Sequence, residues 1–188
     1  MKILAISGSL RADSLNTKLL QAAAEQLVDG EVEFEVWDGL KAVPPYDEDD
    51  EADTPPIAVA RLRSAIAQAD AVIFATPEYN ASIPGQLKNA LDWVSRPMAT
   101  NPLRNVPVAV IGASPGAFGA VWAQAELKKV VALLGARVID AELPVAQAAT
   151  RFDTSGRLID NEIRERLAEV MNQLITAVYE RQAIQATG

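Results

Sequence analysis

Small polar side chains are concentrated in residues 7–16, where a short apolar run gives way to a helical pattern. Hydroxyl and amide groups come from Ser9, Ser14 and Asn16, and Arg11 adds a charged donor. The free N–H groups and the dipole at a helix start also favour an anion. The segment lacks the spacing of a dinucleotide fold and the Gly-Lys-Ser/Thr ending of an NTPase loop. We therefore predict a site for one phosphate group; the alternative is an N-capped helix after a serine-rich turn.

A second loop, residues 76–85, combines prolines, an aromatic side chain and amide donors. The prolines restrict the backbone, and Tyr79 offers a face on which a planar ligand can stack. Such a surface suits the ring of a flavin. The structural alternative is that Pro84 simply begins a helix while Tyr79 lies on the surface.

A third loop, residues 112–119, supplies small residues after another apolar run. Glycine and alanine at such a point allow a ligand or another stretch of backbone to approach closely. Close packing of a helix on a sheet would use the same residues. The loop therefore supports a ligand site only in combination with the other two.

The residue types that are absent limit the chemistry. The 188 residues include no cysteine and no histidine. This composition excludes Ser-His-Asp catalysis, thiolate chemistry, and metal sites built on either residue. We expect no metal, and chemistry at neutral pH has to come from carboxylates, Tyr, Lys, Arg, backbone amides or a bound cofactor. The acidic run at 47–53 lacks the EF-hand pattern and is predicted to be an exposed loop.

The charge and the N-terminal segment exclude other partners. With 17 basic and 25 acidic residues the net charge is −8, which disfavours binding to nucleic acid. The apolar stretch near the start is too short for a signal peptide or a membrane span. The sequence therefore predicts a cytoplasmic protein that binds neither nucleic acid nor membrane.

Short aliphatic runs alternate with helical patterns along the whole chain. The predicted strands are 3–7, 32–37, 71–76, 106–112 and 137–141. The predicted helices are 15–28, 56–69, 85–95, 118–134 and 160–182. Continuously apolar strands are typical of the centre of a parallel sheet, whereas residues 31–37 alternate like an edge strand. We predict one α/β domain over residues 1–188, with a doubly wound, five-stranded parallel sheet and helices on both faces. Ligands of such sheets bind at the carboxyl ends of the strands, where the three loops lie.

The chain resembles the flavodoxin-like NAD(P)H-dependent FMN reductases, a group that includes quinone, azo-dye and chromate reductases. The matching segments are Gly8-Ser9-Leu10-Arg11 with Ser14 and Asn16, Pro77-Glu78-Tyr79-Asn80-x-Ser82-x-Pro84-Gly85-x-Leu87-Lys88-Asn89-Ala90-x-Asp92-Trp93, Ser114-Pro115-Gly116, and Phe152-Asp153-x-x-Gly156-x-Leu158. The resemblance implies that the FMN phosphate is held by Ser9, Arg11, Ser14 and Asn16. It places Pro77, Glu78, Tyr79, Asn80, Ser82 and Ile83 around the ring, with Ser114, Pro115 and Gly116 completing the pocket.

The resemblance implies an enzyme in which NAD(P)H reduces FMN and leaves before a small acceptor takes its place. Quinones, FMN, azo compounds and chromate are the expected acceptors. Two other functions remain open: a flavodoxin-type electron carrier, and a flavin-free binder of phosphate ligands. The resemblance also implies a homodimer or homotetramer. Trp93, Met98 and Trp122 are candidate interface residues, although both tryptophans equally fit a core position.

Overall fold

The computed structural model describes residues 1–27, 30–51 and 54–187 and builds them around one parallel sheet. The strands are β1 Lys2–Ser7, β2 Glu33–Trp37, β3 Ala71–Thr76, β4 Pro107–Ala113, β5 Arg137–Val138 and β6 Leu143–Val145. The α-helices are α1 Leu15–Ala24, α2 Ile57–Ala67, α3 Gly85–Val94, α4 Val121–Leu133 and α5 Asn161–Thr187. The strand order is β2-β1-β3-β4-β5, and β6 also pairs with β4. This is the predicted doubly wound, flavodoxin-like arrangement, so the fold class is confirmed.

The strand positions follow from hydrophobicity. Every residue of β3 and β4 is buried, as expected for strands covered on both faces. β2 is less buried, with Glu33 and Val36 exposed, and it pairs only with β1 among the described strands. The predictions of central and edge strands are confirmed.

The predicted fifth strand is wrong in its extent. Only Arg137–Val138 pairs with the start of β4, at Pro107 and Val108. The chain then leaves the sheet and returns as β6, which pairs with Ile111–Ala113. β6 was not predicted because it is three residues long with a proline at its centre, and proline normally argues against a strand.

Two hydrophobic cores cover the two faces of the sheet. Leu4 and Ile6 of β1 point into one core, which α2, α3 and α4 close. Ile3 and Ala5 point into the other, which α1 and α5 close. The alternation of strand side chains thus divides the helices between the faces. One face of α5 is buried in this second core: Ile163, Leu167, Val170, Met171, Leu174 and Val178.

Helix ends agree with the predictions only in part. Ser14 caps α1, accepting from the Thr17 N–H at 3.2 Å, and Asp160 accepts from the Ile163 N–H at 3.1 Å at the start of α5. The helix predicted at 15–28 ends at Ala24, and residue 28 lies outside the described residues. Of the acidic segment 47–53, residues 47–51 are exposed, and the remaining two also lie outside the described residues.

Candidate cofactor-binding site

A cavity of about 460 Å³ opens at the carboxyl ends of β1, β3 and β4, within the range of about 300–1,000 Å³ that is usual for ligand pockets. Segments from all three predicted loops form its wall, together with part of the segment before α5. Its lining residues are Ser9, Arg11, Asp13, Ser14, Leu15, Asn16, Lys18, Pro77, Glu78, Tyr79, Ala113, Ser114, Pro115, Ala149, Phe152 and Asp153. Of the predicted site residues, Asn80, Ser82, Ile83 and Gly116 are not among them.

The phosphate loop, residues 7–16, turns sharply between β1 and α1. Its backbone is held by its own serines: the Ser9 N–H donates to Ser7 Oγ at 3.3 Å, and the Arg11 N–H donates to Ser9 Oγ at 3.4 Å. Arg11 is exposed, and its guanidinium donates to the carbonyl of Asp13. The loop therefore places hydroxyls and a positive charge next to a helix start, the arrangement expected of an anion site.

Asn16 joins the phosphate loop to the third loop. Its side-chain amide donates to the Ala113 carbonyl at 3.0 Å and accepts from the Ala113 N–H at 2.9 Å. Asn16 is almost fully buried. These two bonds fix the start of α1 against the end of β4, so Asn16 shapes the pocket whether or not its second amide hydrogen also reaches a ligand.

Lys18 is a lining residue that sequence reasoning missed. It lies one helical turn after Ser14 and therefore on the same face of α1, which is the signal that would have identified it. Its ammonium forms an ion pair with Asp13 and holds the pKa of that carboxyl below its usual value. The Lys18 stem passes Gly156, where an added Cβ would lie 3.4 Å from Lys18 Cε. The pocket thus has a second cation beside Arg11.

The ring loop, residues 77–84, contains a tight hairpin turn. Tyr79 and Ser82 exchange two backbone hydrogen bonds of 3.0 and 3.1 Å, and Asn80 and Ala81 between them have φ of 53° and 60°. Two successive positive φ angles define a type I′ turn. The turn presents Tyr79, 49% exposed, at the pocket, while Ile83 is buried in the core beneath it.

Replacing Ala81 with glycine is expected to stabilise the protein by up to about 1 kcal/mol, because the left-handed region costs an L-residue about 1–2 kcal/mol and part of the gain is offset by chain entropy. The free energy of unfolding from urea titration measures the change. The control is Ala183→Gly in α5, whose helical backbone predicts a loss of about 1 kcal/mol. A loss of similar size at Ala81 would contradict the turn described here.

The third loop is held by the end of β6 and the segment that follows it. The Ser114 N–H donates to the Val145 carbonyl at 3.1 Å, and the Ala148 N–H donates to the Ser114 carbonyl at 3.0 Å. At Gly112 an added Cβ would lie 2.8 Å from the Thr76 carbonyl oxygen. A close backbone approach therefore requires glycine there, as one of the two sequence interpretations proposed.

The Phe152–Leu158 segment forms a small hairpin on the rim of the pocket. Phe152 and Leu158 make an isolated β-bridge, and both side chains are buried. Asp153 organises the turn by accepting from Ser155 Oγ at 2.6 Å and from the N–H groups of Ser155 and Arg157, both at 2.9 Å. The Ser155 hydroxyl and these backbone donors lower the pKa of Asp153 to about 2.

This depressed pKa predicts a pH dependence. The stability contributed by Asp153 should be complete above its unfolded pKa of 3.8 and should be lost as pH falls towards about 2. The unfolding midpoint of the ligand-free protein is therefore expected to fall more steeply over this window than that of Asp153→Asn. Thermal unfolding at closely spaced pH values provides the comparison, and parallel curves for the two proteins would contradict the hydrogen bonds assigned to Asp153.

The candidate interface residues Trp93, Met98 and Trp122 differ in burial. Trp93 is 2% exposed, and its indole N–H donates to the Pro44 carbonyl at 3.0 Å, so of its two predicted positions it occupies the core. Trp122 and Met98 are exposed, and the Trp122 ring lies 4.9 Å from that of Phe118. Lys128 forms an ion pair with Glu142 within the chain, at 3.2 Å.

Fold and pocket together define a flavodoxin-like α/β protein whose cavity combines hydroxyls and two cationic side chains with a proline-stiffened aromatic loop. Residues 1–150 match the family described as NADPH-dependent FMN reductase, and the chain belongs to this family. The resemblance inferred from the sequence is therefore confirmed.

Relatives from several bacteria agree with this family. An NAD(P)H-dependent FMN reductase of Pseudomonas aeruginosa is 42% identical over 175 residues, covering 93% of both chains. A 2-hydroxy-1,4-benzoquinone reductase of a Burkholderia species is 37% identical over 96% of this chain and 98% of its own. Among solved structures, the flavoenzyme NAD(P)H:(acceptor) oxidoreductase FerB of Paracoccus denitrificans has a TM-score of 0.84 at 36% identity, covering 96% of this chain and 98% of its own.

Proposed function

We propose that the chain is an FMN-dependent oxidoreductase that takes electrons from NAD(P)H and delivers them to small electrophilic acceptors. The observation that carries this proposal is the convergence of the phosphate, ring and third loops on one cavity at the carboxyl ends of three strands. Quinones are the favoured acceptor class, since relatives with this fold are named quinone reductases. FMN, azo compounds and chromate remain predicted acceptors.

The residues of the cavity fit FMN. A phosphate group needs several donors and positive charge, which Ser9, Ser14, Arg11 and Lys18 supply around the start of α1. The isoalloxazine ring needs a flat, stiff wall with polar groups at its edge, which Pro77 and Tyr79 provide opposite residues 113–115. One phosphate site without a dinucleotide fingerprint favours FMN over FAD.

The cofactor supplies the electron and hydride chemistry when it is bound, and the protein contributes binding, orientation and electrostatics. Arg11 and Lys18 neutralise the phosphate, while Ser9 and Ser14 orient it. Asn16 joins the phosphate loop to the third loop, so the segments proposed to bind the phosphate and the ring are fixed relative to each other. Of the residues predicted to border the ring, those that line the cavity are Pro77, Glu78, Tyr79, Ser114 and Pro115, and these are the ones proposed to contact it. The exposed side of Tyr79 leaves room for nicotinamide and acceptor to enter in turn.

Anaerobic titration tests this function. Stoichiometric NADH or NADPH should bleach the visible absorbance of the FMN-loaded protein, and a quinone added afterwards should restore it. An electron carrier without nicotinamide oxidation would keep its absorbance after NAD(P)H but lose it with dithionite. That result would overturn the proposed enzyme while leaving FMN binding intact.

We also propose one domain spanning residues 1–188, because β1 and α5, near opposite ends of the chain, pack into the same core. Among the described helices, none is long and apolar enough to cross a membrane. A cytoplasmic location is proposed because NAD(P)H has to reach the site.

A homodimer or homotetramer is proposed from the exposed aromatic pair Phe118 and Trp122, which are 62% and 49% exposed beside the ring loop. Exposed apolar groups that cluster in this way favour burial against another surface. Light scattering at micromolar concentration should therefore give at least twice the mass of one chain, and Trp122→Glu should shift the species towards the monomer. The exposed Ile184→Glu on α5 is the control. A monomeric wild-type protein would overturn this part of the proposal.

A further inference from the structure

Helix α4 begins beside the ring loop without a local N-cap. The residue before it, Ala120, has a φ of 61° and offers no side-chain hydrogen bond to the helix. The N–H groups of Trp122 and Ala123 instead donate to Oε2 of Glu78, at 3.0 and 3.2 Å. A carboxylate at this position satisfies two N–H groups of the first turn and interacts favourably with the helix dipole.

A second contact joins the other end of the ring loop to the same helix. The Ile83 N–H lies 3.4 Å from Oε2 of Glu126, which is one helical turn after Trp122. α4 is itself fixed in the core, since Ala123, Leu127 and Val131 are fully buried. The hairpin turn at 79–82 therefore lies between two attachments to one rigid helix.

We propose that Glu78 is a positioning residue, which caps α4 from the loop after the neighbouring strand β3 and thereby holds the ring loop in its binding conformation, with Glu126 as a second attachment. The proposal rests on the function proposed above, in which this loop borders FMN. It assigns the Glu78 carboxylate to the helix instead of to the cofactor. The resemblance places Glu78 at the ring, and the two roles predict different results.

Removing the cap should release the loop from α4 for part of the time. Only the attached population binds tightly, so the apparent affinity is proportional to the fraction of molecules whose loop is attached. Loss of an N-cap shifts the attachment equilibrium by about tenfold. Glu78→Ala should therefore weaken FMN binding, by at most about tenfold. Glu78→Gln keeps an oxygen that can accept both N–H groups, and it should lose no more than about threefold.

Amide hydrogen exchange on the ligand-free protein measures how well Glu78 protects the first turn of α4. Exchange at Trp122 and Ala123 should accelerate about tenfold in Glu78→Ala and stay near the wild-type rate in Glu78→Gln. The control is Glu169→Ala, which removes an exposed glutamate from α5 on the other face of the sheet and should change neither quantity. FMN affinity is measured by quenching of flavin fluorescence, and thermal unfolding confirms that each variant is folded.

Two results would overturn the proposal. One is unchanged amide exchange in folded Glu78→Ala. The other is an equal loss of FMN affinity in Glu78→Ala and Glu78→Gln, together with a shifted flavin potential in the latter, because these changes would indicate a carboxylate in contact with the cofactor.

If Glu78→Ala does not fold, Glu126→Ala tests the second attachment. This variant should accelerate amide exchange at Ile83 and weaken FMN binding several-fold. Wild-type values for both quantities would overturn the proposal that the ring loop is attached to α4. A wild-type protein that fails to bind FMN would refute the proposed function, whereas the exchange rates would still decide whether Glu78 caps α4.

Discussion

Replacing Arg11 with alanine is expected to weaken FMN binding by about 10- to 150-fold. The change removes a charge-assisted donor, and hydrogen bonds to charged groups contribute about 1.5–3 kcal/mol. Because Arg11 is exposed and, among the described residues, its side chain donates a hydrogen bond only to the carbonyl of Asp13 in its own loop, the fold should not depend on it. Titration of the ligand-free protein with FMN gives the two dissociation constants, and urea unfolding verifies that stability is retained.

The matched control for Arg11 is Arg61→Ala. Arg61 is exposed on α2, which packs on the other face of the sheet from α1, so the control removes the same charge from the protein without touching the pocket. If both variants lose affinity equally, only net charge matters. If neither loses affinity, Arg11 does not contact the phosphate, and Lys18 with the serines and backbone amides would have to bind it.

Asn16→Asp is expected to destabilise the ligand-free protein by about 3 kcal/mol near neutral pH. The substitution preserves shape and still accepts from the Ala113 N–H, but it places a carboxylate oxygen against the Ala113 carbonyl, where the amide now donates at 3.0 Å. Two oxygen acceptors then face each other in a buried site, and the negative charge of the new carboxylate is no longer hydrated. Urea unfolding at neutral pH measures the loss.

The deficit of Asn16→Asp should shrink in acid. Burial raises the pKa of the new carboxyl in the folded state, so between the unfolded and folded pKa values the folded protein binds more protons than the unfolded chain, and stability falls as pH rises from the unfolded pKa through the folded one. The control is Asn172→Asp at an exposed position of α5, expected to change stability by about 0.5 kcal/mol or less. Equal effects at the two positions would contradict the buried pairing of Asn16 with Ala113.

Much of the fold could be predicted because the central strands are marked by local pattern. β1, β3 and β4 are short apolar runs, each followed by a loop of polar or small residues. Because these strands are parallel, the loops after them lie at one edge of the sheet. The phosphate loop was recognisable for the same reason, since its donors are close in sequence. Ser14 as a helix cap follows directly from its residue type.

Features that depend on contacts between distant segments could not be predicted in this way. Asn16 is predicted to hold the phosphate and lines the cavity, but its bond to Ala113 crosses 97 positions of sequence. Glu78 is predicted to border the ring and also lines the cavity, while the N–H groups that its carboxylate accepts from lie 44 and 45 positions away on α4. β6 is stabilised by pairing with β4 and has no strand pattern of its own. In each case the tertiary partner determines the role, and residue type alone leaves it open.

The cofactor that the purified protein releases decides whether the cavity binds FMN. The purified protein should be yellow, or should become so on incubation with FMN, and denaturation should release one FMN per chain and no FAD, as determined by chromatography against standards. A folded protein that stays colourless and takes up no FMN would refute FMN binding by this cavity and would favour a flavin-free binder of phosphate ligands.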